Sequence, residues 1–334
     1  MKADDAEWSA RQFVAATCAL FALIPTVMVL PPLVTGRLSL GGTLYGLRLL
    51  IGSVGLVALV AKRRWAPYLI FTGLIVGAAV GGQRLSTTGV GGHFTGGDHR
   101  GSLVAEQDFM VVGATWLPFL GLFESHENRG FAASIAALSK TIREEEGSLL
   151  GLAFAGETYV YPAEGEHQGM LIFLLGYAGD VPSFCWVVAS AAAQVGWTTH
   201  CPSCGFTGAW WEPECSSRVH RIAGNAREQG RVVLGGLSSG ARGAATLVTA
   251  GLHDLDDALL ISGGAYETGP GPFALLMIYG LEDARFPTDL LERYAATAGD
   301  NATVVPRPFG HFLLTKDFET VRSEIRAWLR GLPG

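Results

Sequence analysis

Up to about residue 124, apolar residues come in long runs, with the polar residues gathered between them. Beyond that point, short apolar runs of strand length alternate with stretches in which apolar positions recur at helical spacing. The pattern predicts an all-α region followed by an α/β domain.

The long runs cover residues 13–34, 44–61 and 65–82, each about the length that crosses a bilayer as a helix. Pro25, Pro31 and Pro32 lie toward the far end of the first. Only Arg48 interrupts the second, and Trp65 and Tyr68 suit a membrane interface at the start of the third. A cleaved signal peptide accounts for one such run but not for three. Lys62-Arg63-Arg64 is the densest positive cluster, and the positive-inside rule puts it and the N-terminus in the cytoplasm. A fourth run, 109–123, carries Trp116 and Pro118 and is short for a span. It is read as membrane-inserted, with packing on the C-terminal domain as the other reading. Three spans leave the C-terminal domain outside; four return it to the cytoplasm. Phe131, Ile135, Leu138 and Ile142 then mark an amphipathic helix packed on the domain that follows. The expected division is a transmembrane region over 1–124, a connecting helix over 125–146 and an α/β domain over 147–334.

In that last domain, residues 149–162 predict two short strands around Gly156. Strands are further expected at 170–175, 197–200, 231–235, 258–261, 273–279 and 302–305. Helices are expected at 184–195, 216–229, 241–248, 289–298 and 318–329. Regular alternation implies a mostly parallel sheet covered on both faces, with chemistry at the C-terminal ends of its strands.

Composition agrees with a membrane region. Charged residues make up only 16% and the mean hydropathy is +0.31. A net charge of -6 gives nucleic acid no purchase. The 5 Cys are too few for a disulfide scaffold.

The chemistry centres on Gly236-Leu237-Ser238-Ser239-Gly240, set between an apolar strand and a helix. A strand, a G-x-S-x-G turn and a helix together make a nucleophile elbow, which lifts the serine hydroxyl clear of the sheet. Such a serine needs a base, and the base needs an orienting acid. Asp283 follows the strand that ends at Tyr279, and His311 follows the last strand, so both fall on the same sheet edge as Ser238. Glu282 is the nearest substitute acid. The oxyanion donors expected are the N–H groups of Ser239 and of Tyr177, in the loop after the 170–175 strand. Tyr177, Trp210 and Trp211 are the candidate substrate-binding residues, Trp210 and Trp211 serving either as an apolar rim or as packing. The short connection between Ile261 and Phe273 leaves no room for a large lid.

From about residue 149 to 332 the chain resembles an α/β-hydrolase. Its Gly-Tyr at 176–177, the elbow, the Gly-x-x-Asp-x-x-x-Pro loop at 280–287 and Gly310-His311-Phe312 resemble the dienelactone hydrolase, chlorophyllase and cutinase-like polyester hydrolase branch. The resemblance implies a core of about eight strands and carboxylic ester hydrolysis with no cofactor. Many of these relatives carry His where this chain has Leu175, which removes a polar group that helps to order the oxyanion loop.

Cys201, Cys204 and Cys215, with His200 and His220, lack the second C-x-x-C of a strong zinc site. Facing an oxidising compartment, a disulfide among the three cysteines is expected. His93, Asp98 and His99 read as a solvated loop, so no metal is expected. The whole reads as a multi-pass, membrane-anchored serine esterase acting on an apolar or amphipathic ester, with the bilayer as its partner and its oligomeric state open. The alternatives are an acyltransferase using the same residues, and a receptor or assembly protein with an inactive hydrolase-like domain.

Overall fold

The computed structural model describes residues 26, 30, 46, 47, 50–55, 93–95, 110, 111, 114, 130–146, 158–177, 182–205, 208–251, 254–265 and 273–333. The chain divides into two compact units. The first is Met1–Thr88 with Leu103–Leu122; the second is Gly89–Ser102 with Phe123–Gly334.

The four apolar runs lie almost wholly outside the described residues. Among the described residues, no helix is long and apolar enough to cross a membrane. In the first unit, residues 50–55 are helical. The hydroxyls of Thr26 and Ser53 are buried against each other at 2.8 Å. Leu30, Leu47 and Val54 are exposed.

The second unit is built on eight strands: β1 (His93–Thr95), β2 (Thr158–Tyr161), β3 (Gly169–Leu174), β4 (Trp197–Pro202), β5 (Arg231–Leu237), β6 (Asp257–Ile261), β7 (Ala274–Gly280) and β8 (Ala302–Arg307). They lie in the order β1-β2-β4-β3-β5-β6-β7-β8. β1 and β2 run antiparallel to their neighbours, and every pairing from β4 to β8 is parallel. This is the α/β-hydrolase topology.

Every residue of β3 and β6 is buried, and so is the middle of β5. Continuous burial is what a parallel sheet with helices on both faces requires, and it explains the unbroken apolar runs. The helices are α1 (Phe131–Glu146), α2 (Pro182–Ala193), α3 (Pro213–Arg227), α4 (Ser239–Thr249), α5 (Thr288–Ala296), α6 (Leu313–Lys316) and α7 (Phe318–Gly331). Met170, Ile172 and Leu174 of β3 share one core with α3, α4 and α5. α2 and α7 pack together against the sheet.

Two features depart from the sequence pattern. Residues 93–95, expected in a polar loop, form β1 and pair with β2 from His93 opposite Val160 to Thr95 opposite Thr158. Three residues flanked by glycines show no alternation by which to recognise them. The first of the two strands expected in 149–162 lies outside the described residues, whereas the second is β2.

α1 is an integral wall of this unit. Phe131, Ile135, Leu138 and Ile142 are all at most 4% exposed. Phe131 meets Phe312 at 4.5 Å between ring centroids. Arg322 of α7, itself buried, makes paired hydrogen bonds of 3.2 and 3.0 Å to Glu145 at the far end of α1. The same guanidinium lies over the Trp186 ring at 4.6 Å.

Candidate active site

β5 delivers Ser238 at the sheet's C-terminal edge. Its backbone is forced to φ 57° and ψ -119°. A non-glycine residue rarely adopts such angles, and holding one there costs about 1–3 kcal/mol. The Ser238 N–H is tied to the Ile261 carbonyl at 2.9 Å. Gly236 and Gly240 allow the turn to close: a methyl on Gly236 would strike the Gly240 backbone, and one on Gly240 would strike the carbonyls of Leu174 and Leu175.

His311 follows β8 and is 5% exposed. Its Nε2 lies 2.8 Å from Ser238 Oγ. Its Nδ1 lies 2.8 Å from Oδ2 of Asp283, which follows β7 and is also 5% exposed. The second carboxylate oxygen, Oδ1, accepts the N–H groups of Arg285 at 2.9 Å and Phe286 at 3.2 Å. Those bonds fix the carboxylate plane. With Nδ1–H donating to Asp283, Nε2 is left with the lone pair that accepts the serine proton. The imidazole stacks on Phe286, with centroids 5.8 Å apart and planes at 11°, and meets the edge of Phe312 at 5.5 Å. Glu282 is exposed, and the carboxylate that meets His311 Nδ1 is that of Asp283. The Glu282 N–H instead holds the Phe309 carbonyl at 3.0 Å.

The loop after β3 lies against the elbow. A methyl on Gly176 would stand 3.0 Å from Ser238 Cβ and 2.9 Å from the Leu237 carbonyl oxygen. The Tyr177 amide follows directly, and its side chain is 64% exposed. Ser239 opens α4, so its N–H belongs to the unpaired first turn, where a helix attracts negative charge.

The two tryptophans separate. Trp211 is 46% exposed, with the Arg242 guanidinium 4.9 Å from its ring centre. Trp210 is only 1% exposed and donates its Nε1–H to the Leu175 carbonyl at 2.8 Å. Of the two readings the sequence left open, its ring is therefore packing, and its candidacy as a substrate-binding residue is corrected. The contribution of Phe286, whose N–H holds Asp283 Oδ1 and whose ring stacks on the imidazole, was not foreseen; an apolar residue three positions after Asp283 carries no signal of its own. The pairing of Cys201 also differs from expectation. It bonds to Cys185 of α2, while the disulfide expected among the three cysteines is Cys204–Cys215. The expected trio omitted Cys185 because it lies within an apolar helix, and only the packing of α2 on β4 brings the two together. Disulfide bonding takes all four thiols out of metal coordination.

No protein-family profile matches this chain, and no curated protein is similar to it in sequence. Several solved structures are similar to about half of this chain. An alpha-beta serine hydrolase homologue from Coxiella burnetii is 14% identical, with TM-score 0.43, over 52% of this chain and 91% of that one. The acyl-protein thioesterase 2 of Zea mays is 16% identical, with TM-score 0.41, over 52% and 98%. The esterase domain of a Rhodothermus marinus protein is 12% identical, with TM-score 0.42, over 52% and 92%.

Proposed function

We propose that this protein is a membrane-anchored serine hydrolase that cleaves carboxylic esters. The observation that carries the reading is the unbroken hydrogen-bonded chain from Asp283 through His311 to Ser238, on the edge where the sheet presents its loops. In the proposed reaction Ser238 Oγ attacks the acyl carbonyl while His311 Nε2 takes its proton. Asp283 holds the imidazole in the correct tautomer and stabilises its charged form. The N–H groups of Tyr177 and Ser239 receive the oxyanion. His311 returns the proton to the leaving alcohol, and water repeats the sequence to release the acid. Within the superfamily, the Gly-Tyr and Gly-His-Phe segments favour the branch of dienelactone hydrolases, chlorophyllases and cutinase-like enzymes.

Anchoring is supported by the apolar runs and by the first unit's described residues, in which Leu30, Leu47 and Val54 are exposed while the hydroxyls of Thr26 and Ser53 are buried against each other beside a largely apolar set of buried residues. That distribution suits helices packed in lipid. Two disulfides favour an oxidising compartment, and therefore three spans with the hydrolase unit outside the cytoplasm and the run 109–123 not crossing as a fourth. One experiment addresses both points. A charged, membrane-impermeant fluorophosphonate applied to intact cells is expected to label the wild type and not Ser238→Ala. That variant should keep its fold and lose at least about 10^3-fold in ester hydrolysis. Undiminished hydrolysis by the variant would remove Ser238 as nucleophile, and labelling only after lysis would put the domain inside.

A further inference from the structure

The oxyanion loop is anchored from outside itself. Leu175 brings no polar side chain to the loop, but its carbonyl accepts the buried indole N–H of Trp210. The carbonyl shares a peptide plane with the Gly176 N–H, so fixing it leaves only the two dihedrals of Gly176 before the Tyr177 amide. Trp210 is in turn seated on α4 over Gly243, where any side chain would collide with the indole. Gly208, two residues earlier, lies against the same loop: a methyl there would stand 3.0 Å from both the Gly176 carbonyl oxygen and Ser239 Oγ. The segment carrying Gly208 and Trp210 is closed at its base by the Cys204–Cys215 disulfide, with Cα atoms 5.6 Å apart. Arg218 of α3 adds a hydrogen bond to the Ser203 carbonyl beside it.

We propose that Gly208 and Trp210, held at their base by the Cys204–Cys215 disulfide, form a clamp on the oxyanion loop, with Trp210 as a positioning residue for the donor amide at Tyr177. The inference rests on the reading of Ser238 as the nucleophile. The clamp's contacts run to Leu175, Gly176, Ser239 and Gly243, so it acts on transition-state stabilisation and not on nucleophile activation. Misplacing such a donor by about 1 Å costs on the order of 100-fold.

The test uses the full-length protein with active sites titrated by a fluorophosphonate, assayed on p-nitrophenyl butyrate well below the thermal midpoint. Trp210→Phe keeps the ring and removes the donor. It is expected to lower kcat per titrated site by about ten- to a hundredfold, with KM within about twofold. Affinity for a trifluoromethyl ketone, which forms an oxyanion on the serine, should fall in parallel. Cys204→Ala/Cys215→Ala, with Trp210 intact, should move kcat in the same direction. Cys185→Ala/Cys201→Ala should lower the thermal midpoint without lowering kcat per site. Values of kcat per titrated site within about twofold of wild type for both Trp210→Phe and Cys204→Ala/Cys215→Ala overturn the clamp, and so does a loss seen only as fewer titratable sites. A wild type that takes no fluorophosphonate ends the hydrolase reading itself, and the clamp with it.

Discussion

The imidazole of His311 is held from every side: Ser238 and Asp283 at its two nitrogens, Phe286 on its face and Phe312 at its edge. His311→Ala should therefore be about as damaging as loss of the serine, because residues that act as a unit do not contribute additively. Asp283→Asn keeps the shape but presents an N–H or a weaker acceptor to Nδ1, which favours the wrong tautomer. Ester hydrolysis should fall by roughly 10^4-fold. Glu282→Gln should leave kcat within about twofold, since that side chain faces solvent. A silent Asp283→Asn beside a dead Glu282→Gln would move the acid to Glu282. These three residues were legible because their chemistry demands both a residue type and a place at a strand end. Ser238 is marked further by glycines that no other residue can replace. Trp210 was not legible as packing, because a Trp-Trp pair on a loop reads alike whether it faces solvent or core. Only the Leu175 carbonyl, distant in sequence, decides it.

At the scale of elements, α1 has the clearest consequence. The sequence pattern reads it as a helix packed on the domain and draws the domain boundary after it, at 147. Its four apolar side chains are nonetheless almost fully buried. At about 1.5–3 kcal/mol for each large side chain, their burial is comparable with the roughly 5–15 kcal/mol that holds a typical domain together. Its loss would also leave the Arg322 guanidinium buried with only the 3.5 Å contact to Glu319 as an acidic partner among the described residues. Phe312, next to His311, would lose its contact with Phe131. A chain beginning at Gly147 is thus expected to be largely unfolded at 25 °C by circular dichroism and thermal melting, whereas one beginning at Phe123 should melt cooperatively. Equal midpoints for the two would show that α1 contributes nothing to the fold. The element types themselves could be read well: β3, β5, β6 and β7 are apolar runs of strand length, and α7 has apolar residues on one face. The sheet edges were harder. β1 is three residues long, and the exposed β8 has little apolar pattern to reveal it beyond its place before Gly310-His311.

For the molecule as a whole, the question is what the first unit does for the second. We infer that it holds the hydrolase at a bilayer from which an apolar ester is drawn. A tether converts encounter with a membrane-borne substrate into a local event, and gains of about 10^2–10^4 are available without any new contact. Tyr177 and Trp211 are exposed large aromatics, and Tyr177 follows directly on the loop beside Ser238. An apolar acyl or alcohol portion would meet Tyr177 on approach. The opposing view is that the first unit only locates an enzyme for water-soluble esters. The comparison requires a truncation that keeps α1, so the chain beginning at Phe123 is the one to set against the full-length protein. It gives up β1, which pairs only with β2 among the described residues. With both proteins titrated for active serine, kcat/KM on short soluble esters should agree within about twofold. On long-chain esters dispersed in phospholipid vesicles, the full chain should lead by at least about tenfold, and adding the first unit as a separate polypeptide should not restore the difference. An equal kcat/KM on the vesicle substrates would reduce the first unit to an address and leave a soluble ester as the substrate.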